Sequence, residues 1–121
     1  MESNKVIAAL AALAQETRLA VFRLLVRAGP KGLPAGDIAT RLNCPPATLS
    51  FHLRELSHAG LLRATRQSRS IIYAADFELM RALLGFLTEN CCALDPNAVC
   101  YLETGIGETT AKPSQPEESL L

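Results

Sequence analysis

The chain has 121 residues, 49% hydrophobic and 20% charged, with twelve basic and twelve acidic side chains that cancel to a net charge of zero. That length fits one domain, enough for a real core but small enough for dimerisation to help. The longest apolar run, Val6 to Ala14, is far too short to span a membrane, and no charged-then-apolar leader with a cleavage site is evident, so the expected location is the cytoplasm.

The zero hides an asymmetry. Residues 1–75 hold ten Lys and Arg against four Asp and Glu, whereas residues 76–121 hold two against eight. A basic front half fits a polyanionic partner, and an acidic back half argues against wrapping the whole molecule in nucleic acid.

Glu2 to Leu13 predicts a short helix carrying Val6, Leu10 and Leu13, with Ser3 as its N-cap. It is apolar nearly all round and needs cover. Gln15 to Ala28 predicts a second helix, with Leu19, Phe22 and Val26 on the apolar face, Leu25 beside them, and Arg18, Arg23 and Arg27 on the wetter side. The run Gly29-Pro30-Lys31-Gly32 stops it. Pro34 to Leu42 predicts a third helix that buries Ile38, Ala39 and Leu42, and Asn43-Cys44-Pro45 forms a turn.

The fourth helix follows that turn. Pro45 and Pro46 suit a helix start, because proline pre-sets φ and has no N–H to lose there. Leu49, Leu53 and Leu56 anchor one face, and Gly60 fits the left-handed residue that closes a helix. Thr48, Ser50, His52 and Arg54 then point away from that face. Two short helices joined by a tight turn, the second with such a polar face, describe a helix-turn-helix whose second helix reads a DNA major groove.

Leu62 to Arg66 and Ser70 to Ala74 predict a β-hairpin around Gln67-Ser68-Arg69. Arg63, Arg66 and Arg69 gather on it, the last two nearest the tip, where a wing would meet phosphates or a minor groove. Asp76 is expected to cap a last helix from Phe77 to about Asn90. Its stripe is Phe77, Met80, Leu84 and Leu87, with Leu83 flanking. With the first helix it would form a two-fold interface. The fold class expected is mostly α with a small β-hairpin, in the order ααααββα. The expected divisions are 1–92 for DNA binding and dimerisation, 93–104 for a cysteine-bearing tail, and 105–121 as a disordered, Gly-, Pro-, Ser- and Glu-containing end.

Three segments carry a family resemblance: Leu13-Ala-Gln-Glu-Thr-Arg-Leu-Ala-Val-Phe-Arg-Leu-Leu25, Ala47-Thr-Leu-Ser-Phe-His-Leu-Arg-Glu-Leu-Ser-His-Ala-Gly-Leu61, and the wing ending Ile71-Ile-Tyr73. Across about residues 5–92 the chain resembles the ArsR/SmtB family of metal-responsive winged-helix repressors. The resemblance implies a homodimer that binds palindromic operator DNA and releases it when an inducer binds. It departs from the family at Ser68, where members usually carry glycine. The Cys-Val-Cys motif of many arsenic sensors is also missing, since residues 33–43 contain no cysteine. The last helix lacks the Asp/His…His/Glu pattern of the zinc sensors, and the two histidines, His52 and His58, both lie in the fourth helix.

Cys91, Cys92 and Cys100 remain as the candidate sensor. Some family members carry adjacent cysteines at the end of the last helix and a third in the tail, and bind As(III) with them; the resemblance implies As(III) or Sb(III) as inducer here, with no organic cofactor. Thiolates select soft centres. Three sulfurs without a nearby histidine suit a three-coordinate pyramidal ion better than tetrahedral zinc, although Asp95 leaves a fourth ligand open. Neighbouring helical residues point about 100° apart, so both sulfurs reach one ion only if the helix ends first; Asn90 can adopt the left-handed conformation that ends it. The negative end of that helix disfavours thiolates, so the pair is expected to be mainly protonated until an ion displaces its protons. Cys44, in the turn, is read as structural. A thiol-redox or reactive-sulfur switch of the same fold is the rival regulator. A small thiol enzyme is the rival of another class, and neither a phosphate-cradling loop nor a Cys-x-x-Cys opening a helix supports it.

Overall fold

A computed structural model describes residues 1–99. The chain divides into two units, residues 1–86 and residues 87–121. Five helices, α1 (Ser3–Leu13), α2 (Glu16–Ala28), α3 (Ala35–Leu42), α4 (Pro46–His58) and α5 (Phe77–Thr88), accompany three short strands, β1 (Leu33–Pro34), β2 (Leu62–Gln67) and β3 (Ser70–Ala75). The expected order stands, with β1 added between α2 and α3. The sheet is antiparallel in the order β1-β3-β2, which leaves Pro34 on an edge strand, where a residue without an N–H is tolerated.

Local chemistry sets the joints. The Gln15 side chain accepts the Arg18 N–H at 2.9 Å and so caps α2. Gly29, at φ 83°, closes that helix by donating to Leu25 and Val26. Gly32 also has positive φ (67°), and a Cβ there would collide with the carbonyl of Tyr73, the partner of Leu33 across the sheet. Asn43, at φ 51°, ends α3 and turns the chain into α4. The hairpin pairs Leu62 with Ala75 and Gln67 with Ser70, leaving Ser68-Arg69 as a two-residue loop. Ser68 takes φ 54°, the positive value that the first central residue of a type II′ turn needs. The serine therefore keeps the backbone shape a glycine would give.

Leu25, Ile38, Leu49, Leu56, Leu61 and Val21 are fully buried at the centre. Several expected faces are rotated. Glu2, not Ser3, occupies the N-cap of α1. On α2, Leu19 is 45% exposed while Val21 and Leu24 are buried, and Arg18 is half-buried rather than on the wet side. On α5 Leu83, expected to flank the stripe, is the buried residue, with Phe77, Leu79, Met80 and Phe86 packed beside it, and Leu84 and Leu87, expected at a two-fold interface, are 55% and 54% exposed. In both helices several stripes of Leu, Val and Phe compete, and the packing partners choose among them.

Candidate nucleic-acid interface and cysteine pair

α3, the Asn43 turn and α4 form the helix-turn-helix. α4 is seated by Leu49, Leu53 and Leu56, so its outward face is fixed by the 3.6-residue period. Ala47, Ser50, Phe51, Arg54 and His58, at i, i+3, i+4, i+7 and i+11, are all exposed along that face, and Thr48 is exposed at its side. Arg66 and Arg69 are exposed on the wing. Arg54, Arg66 and Arg69 form no ion pair with any described residue, whereas Arg63 is held at the base of the wing by Asp76 (3.3 Å) and Glu78 (3.8 Å). Three guanidinium groups are thus left available on the helix face and the wing.

His52 corrects the sequence reading. It is only 8% exposed, because it lies three residues after Leu49 and four before Leu56, on the buried stripe. Its Nδ1 lies 3.2 Å from Nη1 of Arg18, whose Nε donates to the Ala12 carbonyl at 2.7 Å. A guanidinium can only donate, so Nδ1 accepts and the proton of the neutral ring sits on Nε2. Burial, and then the Arg18 charge, hold the His52 pKa below its ordinary 6.5, against an upward pull from Glu55. Arg18 thereby joins the end of α1 to the inner face of α4. Outside, the Phe51 ring meets the His52 ring edge-on, centroids 5.5 Å apart and planes at 64°. Arg18, expected on the wetter side of α2, is the residue that polarity alone misplaces; its i, i+3, i+4 and i+7 spacing with Val21, Phe22 and Leu25 is the signal that finds it.

Residues 87–99 form the described part of the second unit. α5 ends at Thr88, and Asn90 (φ 58°) and Cys92 (φ 64°) are both left-handed. The helix has therefore ended before the cysteines, as a shared ion requires. Cys91 and Cys92 are half-buried with sulfurs 3.5 Å apart, and Cys92 Sγ lies 3.9 Å from the Val99 carbonyl. With metal–sulfur bonds of about 2.3 Å, that separation subtends about 99° at a common centre, closer to a pyramidal than to a tetrahedral angle. Asp95 uses Oδ1 to accept the Asn97 N–H at 3.1 Å. Among the described residues no cluster of three or more His, Cys, Asp or Glu side chains could hold a metal ion; Cys100 and the expected disordered end lie outside them. Cys44 is half-buried against the core, its Sγ 3.7 Å from the Pro45 carbonyl. No helix among the described residues is long and apolar enough to cross a membrane.

Comparison with known proteins agrees with this geometry. The helix-turn-helix domain family matches residues 13–64. The transcriptional activator HlyU of Vibrio cholerae is 28% identical over 94 residues, covering 76% of this chain and 84% of its own. The solved HlyU structure superposes with a TM-score of 0.60 over 76% of this chain and 99% of that one; reduced HlyU from the same organism gives 0.59 at 27% identity, over 74% and 92%. The homodimeric winged helix-turn-helix DNA-binding domain Mb0332 of Mycobacterium bovis, described as a possible ArsR-family regulator, gives 0.57 at 25% identity over 73% and 82%. An ArsR-like regulator of Rhodococcus sp. RHA1, 24% identical over 88% and 96%, shares the fold with a TM-score of 0.66.

Proposed function

We propose that this chain, a member of the ArsR/SmtB-type winged-helix transcriptional regulators, is a homodimeric cytoplasmic repressor that releases palindromic operator DNA when As(III) or Sb(III) binds its cysteines. Ser50, Arg54 and Thr48 would face the major groove, and Arg66 and Arg69 the backbone or minor groove. Two copies of α4 would address half-sites about 34 Å apart. The exposed Ile7 and Leu10 on α1 and Leu84 and Leu87 on α5 support dimerisation through those helices, as does the homodimeric relative. No enzymatic step is assigned.

The observation that carries the inducer is the sulfur spacing beyond the end of α5. Cys91 and Cys92, with Cys100 as the third donor, would hold the ion and release their thiol protons to it. An inducer of this kind acts by binding two states unequally, and a coupling of about 1–3 kcal/mol is usual. Linkage is reciprocal, so operator DNA weakens metalloid binding by the same factor. The test is operator release titrated with arsenite on the native protein and on Cys91→Ser, Cys92→Ser and Cys100→Ser. We expect release by the native protein and a large loss of sensitivity in each variant; normal release in all three removes the site.

A thiol-redox switch is the second reading, favoured by two adjacent sulfurs at 3.5 Å and by a relative whose structure is described by its reduced state. Here two thiols would give up two protons and two electrons to an oxidant and form one disulfide. Release of DNA by diamide but not by arsenite would select this reading over the metalloid one.

A further inference from the structure

We infer that Phe51 is a base-reading residue, and that it selects thymine by contact with the C5-methyl group. The inference rests on the DNA-binding reading of α4 and adds a specificity to it.

Phe51 is 48% exposed. A lone exposed aromatic is ordinary on a protein surface; its position here is not. It stands between Ala47 and Arg54 on the outward face of α4, beside Ser50, so a groove that receives Ser50 and Arg54 also receives the phenyl ring. The ring has no hydrogen-bonding group. In the major groove the purines present N7 with O6 or N6, and cytosine presents its amino group, all of which lose water without compensation against a phenyl ring. Thymine alone offers a methyl group. Ala47, one turn earlier, extends the same apolar strip.

The ring is also held in place. The His52 ring supports it edge-on at 5.5 Å, Arg18 fixes that imidazole through Nδ1 at 3.2 Å, and the Ala12 carbonyl fixes Arg18 at 2.7 Å. A side chain already restrained loses little freedom when it meets a base. His52 and Arg18 are thus positioning residues, and Phe51 makes the contact.

Burial of one methyl group changes affinity about fourfold, and one per half-site about fifteenfold for a dimer. The experiment selects duplexes from a random library with the full-length wild-type protein. The recovered duplex is then made with thymine or with deoxyuracil at each position, which removes only the methyl group. We expect one thymine in each half-site whose replacement weakens wild-type binding about fourfold singly and about fifteenfold jointly. Phe51→Ala should bind the two duplexes equally. The wild-type comparison needs no variant and so does not depend on folding of the mutant. Indifference of the wild-type protein to every methyl group, or full thymine preference in Phe51→Ala, overturns the inference while leaving DNA binding intact. Recovery of no duplex overturns the DNA-binding reading and this inference with it.

Discussion

Replacing His52 with Gln tests the Arg18–His52 pair quantitatively. Gln can offer an oxygen to Arg18 but cannot take up a proton. In the native chain His52 Nδ1 accepts from Arg18 at 3.2 Å, and protonation would set a second donor against the guanidinium. Burial first, and the Arg18 charge second, therefore hold the folded-state pKa below 6.5. The unfolded chain binds the proton more readily, so stability rises with pH across this window. The contribution of the neutral ring is complete above the unfolded value of 6.5 and is lost as pH falls through the lower folded value. One proton limits the slope to about 1.4 kcal/mol per pH unit. In a fold of this size 1 kcal/mol moves Tm by about 4–8 °C, so acidification from about pH 6.5 to pH 5.5 should lower the wild-type Tm by up to several degrees more than that of His52→Gln. Urea unfolding and thermal melts between about pH 7.5 and pH 5 measure the difference. An equal acid loss in both proteins would refute the reasoning.

Three further outcomes follow from other parts of the fold. Asp76 caps α5 by accepting the Leu79 N–H at 3.0 Å; burial works to raise its pKa, but that bond and the bond and charge of Arg63 bring it below 3.8. Asp76→Ala should therefore cost about 1 kcal/mol near neutral pH, and the wild-type advantage in urea should persist above 3.8 and shrink as pH falls through the lower folded value. Ser68→Gly should raise stability by a few tenths to about 1 kcal/mol, since it relieves a side chain held at φ 54° and offsets this only partly with chain entropy; a lower Tm would contradict that account. Arg66→Ala with Arg69→Ala should reduce the slope of log affinity against log salt by about one for each phosphate contact removed, and an unchanged slope would take the wing off the DNA.

The fold was readable because its signals are local. Pro45-Pro46, Gly29, Gly60 and Asp76 each mark a boundary by backbone chemistry, and the helices they bound lie within a residue or two of expectation. β1 was not readable: two residues carry no periodicity, and what makes Leu33–Pro34 a strand is the neighbouring β3. The α5 stripe was readable in part. Phe77 and Met80 pack on the core beside Leu79, Leu83 and Phe86, while Leu84 and Leu87 stay exposed, as an interface with α1 would need them. The end of α5 ahead of the cysteines was readable, because Asn90 is one of the few residues that readily enters the left-handed region.

The two largest displacements, Arg18 and His52, share one cause. Arg18 stands at i, i+3, i+4 and i+7 with Val21, Phe22 and Leu25; His52 stands three residues from Leu49 and four from Leu56. Spacing places both on buried stripes, whereas polarity alone would put them at the surface. An arginine stem can line an apolar face while its head seeks partners, and a buried imidazole needs an acceptor or donor of its own. Each side chain supplies what the other lacks, donor to acceptor, and the Ala12 carbonyl takes a further guanidinium N–H. A directional bond within an otherwise apolar contact tolerates fewer rotations of α4 than leucine packing alone. The angle at which Ser50, Phe51 and Arg54 are presented is thus set partly from inside, by two residues whose types, read alone, would have sent them to the surface.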